Sequence, residues 1–182
     1  MSPRRASAQA LKAASASEAL QAVPYFSTLI AALQATNMTE VVGPAFNGTL
    51  IAPQDPGFAN LTRLLGLSSP SDLLAPERRE LLASVLRYHV LPEAVVAPLL
   101  LRDRQQLPTL LGDPITVARD VPGLIHLVGG TPLNVVTLLG YQGVATGGVV
   151  VVTDQVLLPA GVISGNAPLT PVFTPALGLG RR

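Results

Sequence analysis

Apolar positions recur at helical spacing in the first half of the chain and in strand-like runs in the second. Phe26, Leu29, Ile30 and Leu33 fall at i, i+3, i+4 and i+7, which predicts an amphipathic helix. Val41 and Val42 begin another turn. Thr49-Leu50-Ile51-Ala52 reads as a short strand that Pro53 closes. Asp55-Pro56 then starts a helix, because a carboxylate can cap free N–H groups and proline suits the first turn. Phe58, Leu61 and Leu65 form that helix's buried face, and Gly66 ends it. On this helix Asn60 points nearly opposite Phe58, toward solvent. Ser69-Pro70-Ser71-Asp72 is another cap-like start. Pro76-Glu77 opens a third helix with Leu81, Leu82, Val85 and Leu86 toward the core.

Strands dominate the remainder. Ile115 and Val117 alternate with Thr116 and Ala118, and Leu124 to Val128, Leu133 to Val136 and Val149 to Val152 are β-branched runs between Gly/Pro punctuation. Four consecutive valines lack polar alternation, which predicts a strand buried on both faces. Helices followed by strands give an α+β class. This unit occupies residues 21–162. Residues 1–20, rich in Ala and Ser, read as a flexible lead-in. Residues 163–182 read as a tail: Pro168, Pro171 and Pro175 stand beside Thr170 and Thr174, and Gly178 and Gly180 precede a terminal Arg pair.

Composition narrows the function. Of 182 residues, 48% are hydrophobic and only 13% charged, with a mean hydropathy of +0.45, so the bulk of the chain is folded rather than disordered. The net charge of +1, with no Lys/Arg run longer than two, argues against a nucleic-acid partner. No run reaches the ~18 apolar residues of a membrane-spanning helix. The absence of cysteine removes disulfides, thiol nucleophiles and Cys-ligated zinc.

Three Asn-x-Thr triplets, opened by Asn37, Asn47 and Asn60, fall within 26 residues and point to N-glycosylation. Met1 to Arg5 lead into Ala/Ser/Gln sequence without an apolar h-region. The expectation is therefore an extracellular or cell-surface glycoprotein whose signal peptide is not present in this chain.

Three segments carry a family resemblance. Thr49 to Phe58 (TLIAPQDPGF) is similar to the first box of the fasciclin-like domain family, Tyr88-His89-Val90-Leu91-Pro92 to its central Tyr-His motif, and Gly148 to Pro159 (GVVVVTDQVLLP) to its second box. Gln54 stands where the family has Thr, Gly57 where it has Ala, and Val151 where it has His. The resemblance implies a wedge-shaped β-sandwich of about seven strands with helices packed on one side. It also implies non-catalytic adhesion proteins outside the cell. Thr49, Pro53, Asp55, Phe58, Tyr88, His89, Asp154 and Pro159 then become structural residues. Buried Tyr88 and His89 would tie helix to sheet, and Asp154 would bond backbone N–H groups at the turn into Val156-Leu157-Leu158.

Catalytic readings find little footing. His89 has no second His, Cys or acid cluster near it in sequence, so a core role outweighs catalysis, and His126, among Leu124, Ile125, Leu127 and Val128, reads as a strand-edge residue. No Gly-x-Ser-x-Gly elbow or calcium loop occurs, and Gly178-Leu179-Gly180 is no phosphate loop. No metal is expected and no cofactor is required. Neither Arg-Gly-Asp nor Asp-Ile is present, which disfavours integrin contact.

The low charge content instead predicts an apolar face for adhesion to a cell-surface or matrix protein, or for self-association. The alternative is a water-soluble carrier that holds a carotenoid such as astaxanthin, or a similar long apolar ligand, in a hydrophobic groove or tunnel, as the resemblance to a minority of green-algal fasciclin-like proteins implies. Ile163, with polar contacts from Gln54 and Asn166, would then hold the ligand.

Overall fold

The computed structural model describes residues 15–93, 101–131, 134–144 and 148–162. The helices are α1 (Ala16–Gln21), α2 (Ser27–Ala35), α3 (Asp55–Leu64) and α4 (Arg79–Tyr88), with short 3-10 turns at Pro24–Phe26, Thr39–Val42, Pro70–Leu74 and Pro76–Arg78. The strands are β1 (Thr49–Pro53), β2 (Val90–Leu91), β3 (Gln106–Leu107), β4 (Ile115–Ala118), β5 (His126–Val128), β6 (Val135–Gly143) and β7 (Val149–Thr153).

Together the strands make one mixed sheet in the order β2-β1-β7-β6-β5-β4-β3. Only β1 and β7 run parallel, and they bring the two boxes side by side from Thr49 opposite Val149 to Pro53 opposite Thr153. Strand β6 serves both halves of the sheet. Val135 to Thr137 pair with β5, and Leu138 to Gly143 pair with β7 after a register shift between Leu138 and Gly140. A bulge of this kind bends a strand and increases its twist. Beyond β3, the Leu110 N–H donates to the Val90 carbonyl of β2 (2.8 Å). The ends of the sheet therefore meet, and the seven strands are nearly barrel-shaped.

Alternation along β1 and β7 divides the core. Leu50, Ala52 and Val150 face the helices, where Leu20, Leu29, Leu33, Phe58, Leu82 and Leu86 pack. Ile51 faces the other way, into a cluster with Tyr88, Leu91, Ile115, Val117, Leu127, Val136 and Leu157. Apolar layers on both faces explain why every residue of β1 is buried. The expected α+β class, about seven strands with helices packed against them, is thus the architecture found.

The structure corrects several boundaries. Helix α1 lies inside the stretch read as a lead-in (1–20), yet Ala16, Ala19 and Leu20 are buried in the main core. The packed chain reaches back at least to Ser15, whose hydroxyl accepts from the Glu18 N–H. The third expected helix begins as a 3-10 turn at Pro76 and becomes α-helical only at Arg79. The run expected from Leu124 starts as β5 at His126, because Val121 to Leu124 form a turn with Gly123 at φ +82°. Strand β6 starts at Val135 and runs on to Gly143, well past the expected Val136. Residues 1–14 and the tail at 163–182 lie outside the described residues.

Candidate functional site

The two boxes and the Tyr-His pair meet where α4 gives way to β2. His89 is the C-cap of α4 and is fully buried. Its Nδ1 lies 2.7 Å from the Val85 carbonyl, which can only accept, so Nδ1 carries the proton. The Leu157 N–H donates to Nε2 (3.0 Å), so that nitrogen is bare. These two bonds fix a neutral imidazole and join helix, strand and second box. Burial pushes the imidazole down to about 4, against the opposing pull of the Val85 bond. Beside it, the Tyr88 hydroxyl donates to the Pro114 carbonyl (3.1 Å). Burial, helped by the Asp113 carboxylate, pushes this phenol up to about 12, so it stays a donor at neutral pH.

The acids of the boxes act at longer range than their sequence positions suggest. Asp55 was expected to cap its own helix. Its carboxylate instead accepts from the Thr28 N–H and the Ser27 hydroxyl (both 2.8 Å), capping the first turn of α2. Helix α3 takes Gln54 as N-cap with no side-chain cap. Burial raises the Asp55 pKa, but the bonds from Thr28 and Ser27 outweigh it and hold the group below the usual carboxylate value. Asp55→Ala should therefore cost about 1 kcal/mol and lower Tm by about 3 °C in a thermal melt.

Asp154 also departs from expectation. Its carboxylate accepts from the Thr137 N–H on β6 (2.7 Å), where the β6 register shifts, rather than from the following turn. The Thr49 hydroxyl donates to the Glu93 carbonyl (2.8 Å). Pro53, Phe58 and Pro159 are buried. Asn60, expected to face solvent, is half-buried, and its amide donates to Gln155 Oε1 (2.8 Å) while Arg63 donates to its Oδ1. One turn earlier, a Cβ on Gly57 would lie 3.0 Å from Gln155 Cα, so α3 sits tight against the chain after β7. This is the position where the family's box carries Ala.

One organising residue was not singled out from sequence. Asn134 Oδ1 accepts from the Leu158 N–H (2.7 Å) and its Nδ2 donates to the Val156 carbonyl (3.1 Å). The Gly130 N–H adds a bond to the Leu158 carbonyl (2.8 Å). The final segment, Val156 to Leu158, is thus pinned by side chains rather than by a strand ladder. A Gly-Gly pair followed by Asn before a β-branched run was the available signal, and it reads as an ordinary turn.

Gln54 is half-buried between β1 and α3, and its amide makes no hydrogen bond among the described residues. Ile163 and Asn166, grouped with it from sequence, lie outside the described residues. Two apolar cavities are small. One, between the sheet halves, is lined by Thr49, Ile51, Leu91, Leu127, Leu138 and Val151. The other, beneath the helices, is lined by Leu61, Leu65, Leu73, Leu82, Val85 and Val162. Each holds about 10 Å³, room for one water at most.

The surface is more distinctive. Val121, Leu124, Leu139 and Tyr141 are 41–53% exposed. His126 pairs with Thr137, and the Leu138 N–H donates to the Ile125 carbonyl (2.9 Å). Leu139 is the extra residue at the β6 bulge, and these exposed apolar side chains lie on β6 or in the turn before β5. Nearby Asp120 is hydrogen-bonded to His126 (2.8 Å), which holds its carboxyl below the usual value. Among the described residues no three His, Asp or Glu side chains gather as metal ligands, and no helix is long and apolar enough to cross a membrane.

The sequence is similar to that of known proteins. Protein sll1483 of Synechocystis sp. (strain PCC 6803) is 30% identical over 135 residues, which cover 74% of this chain and 67% of that protein. Among solved structures, a FAS1 domain pair from the insect cell adhesion molecule Fasciclin I aligns with 70% of this chain at 18% identity and a TM-score of 0.44. The chain spans 40% of that structure's length. The family model for the fasciclin domain matches residues 24–159, both boxes and the Tyr-His pair included, and the chain belongs to the fasciclin domain family.

Proposed function

We propose that this chain is a non-catalytic extracellular fasciclin domain that mediates adhesion, to a cell-surface or matrix protein or to a second copy, through an apolar surface. The observation that supports this most is the exposure of Val121, Leu124, Leu139 and Tyr141 on β6 and in the turn before β5, which we read as one apolar ridge. Contiguous exposed apolar side chains mark interaction sites more often than isolated ones do. Asp55, Asp154 and His89 hold backbone groups of other elements, a structural use of these side chains that leaves the surface to carry recognition. Beads coated with the protein should cluster, with themselves or with matrix-coated beads, at a rate that rises with coating density. Beads that stay dispersed in both mixtures would remove this reading.

A second reading has its own support in Gln54, a half-buried amide without a hydrogen bond among the described residues. It is the kind of polar group that could meet the oxygenated ring of a carotenoid, with Ile163 and Asn166 as its companions. Ligand pockets for molecules of drug size run to roughly 300–1,000 Å³, far beyond either cavity. Protein mixed with astaxanthin should then gain a visible band that co-elutes with it on size exclusion. Colour left wholly in the pellet would end the carrier reading.

A further inference from the structure

We propose that Asn37 and Asn47 are attachment sites for N-linked oligosaccharides and that Asn60, which shares their triplet, is a structural residue that stays bare. The proposal rests on the extracellular reading for its setting, while the site assignment comes from the fold. Three acceptor triplets look alike in sequence. In the fold they differ.

Asn37 ends α2 in the left-handed region, at φ +56°. Its N–H donates to the Gln34 carbonyl and the Met38 N–H to the Leu33 carbonyl, a helix-terminating pair that needs only its backbone. The Asn37 side chain is exposed and makes no hydrogen bond among the described residues, and Thr39 is exposed too. Asn47 is likewise exposed, with no side-chain bond among the described residues. Its Thr49 bonds the Glu93 carbonyl once β1 has folded, after a transfer made to the nascent chain.

Asn60 differs in the bonding of its own side chain; Thr62, like Thr49, is buried in the folded chain. Its Nδ2 donates to Gln155 Oε1 (2.8 Å) across the contact between α3 and the chain after β7. Thr62 is buried, with its hydroxyl on the Phe58 carbonyl (2.8 Å). One turn before Asn60, a Cβ on Gly57 would lie 3.0 Å from the Asp154 carbonyl oxygen and from Gln155 Cα, so α3 and the chain after β7 are closely packed beside this bond. Transfer forms a bond from Nδ2 to C1 of N-acetylglucosamine and breaks the C1–O bond to the pyrophosphate of a lipid-linked donor. The leaving pyrophosphate takes the electron pair, and one amide proton is released. At Asn60 the product would force apart a contact that the fold uses.

The test is secretion of the full chain, behind a cleavable signal, from a eukaryotic cell. The folded monomer is isolated by size exclusion and treated with peptide N-glycosidase in heavy-oxygen water, which turns each glycosylated Asn into labelled Asp. Peptide mass spectrometry should find the label at Asn37 and Asn47 and none at Asn60. Asn37→Gln and Asn47→Gln should each speed gel migration by one glycan, and Asn60→Gln should leave it unchanged. Label at Asn60 in the folded monomer, or its absence from Asn37 or Asn47, overturns the assignment. Because the host is directed to secrete the chain, the result is independent of the adhesion reading, which the bead assay tests.

Discussion

The folded chain should lose about 3 kcal/mol of stability between pH 6.5 and about pH 4, through His89 alone. In the unfolded chain this imidazole takes up a proton near pH 6.5. In the folded chain it resists until about 4, because burial disfavours the charge and Nε2 is occupied by the Leu157 N–H. The unfolded state therefore binds more protons throughout that window. Stability is full above pH 6.5, falls by up to one proton's worth per pH unit below it, and stops falling from this source below about 4. Asp55 acts in a separate range. Its pKa is lowered below 3.8, so its contribution is lost only as pH falls further.

Urea unfolding at half-unit steps from pH 7.5 to 4.5 isolates the His89 slope. His89→Gln removes the titration while keeping a donor and an acceptor, and it should flatten the window. His89→Ala would leave the Leu157 N–H and the Val85 carbonyl unpaired beside a new cavity, and should cost about 3 kcal/mol at pH 7. An unchanged pH slope in His89→Gln would show that the imidazole is not the buried clip described.

Gly130→Ala should be at least as damaging, at about 3–5 kcal/mol, with most of the protein lost to the insoluble fraction. A Cβ there would overlap the Ala160 nitrogen and the Pro159 carbonyl carbon and lie 2.7 Å from Ala160 Cα. All three are backbone atoms, so no rotamer relieves the clash. The same residue donates to the Leu158 carbonyl, so movement away breaks the bond that pins the last segment. Gly140→Ala is the internal control. A Cβ there meets nothing within 4 Å, and the change should stay within about 0.5 kcal/mol of neutral. Denaturant midpoints for the two variants, measured together, separate close packing from a general intolerance of alanine in this half of the chain.

Much of this architecture was readable from local pattern, and the exceptions share a cause. Strands β1 and β7 stand out because each is a short apolar run cut off by Pro53 or followed by Asp154. Helix α3 shows its buried face through Phe58 and Leu61 and its end through Gly66. Helix α1 was hidden because alanines and serines carry little periodic signal, and its burial depends on partners far along the chain. Strands β2 and β3 have two residues each, too few for alternation to register.

The site divides along the same line. Burial of Tyr88 and His89 followed from their place between helix and strand. The partners of Asp55, Asp154 and Asn60 lie 27, 17 and 95 positions away, and no local rule reaches them. Asn134 was overlooked because its residue type suits a turn, and its clip exists only once Val156 to Leu158 have arrived.

Polar residues of the boxes hold the fold together, and the proposed adhesion rests on the exposed apolar side chains of β6 and the turn before β5. The most direct test is a bead-clustering assay at pH 7 comparing the unmodified chain with a Leu139→Glu, Tyr141→Glu double variant whose circular dichroism and Tm match it. Both side chains are exposed, so the exchange should leave the fold intact while placing two charges on each ridge. The account predicts clustering by the unmodified chain and dispersed beads for the variant. Equal clustering by both proteins would contradict it.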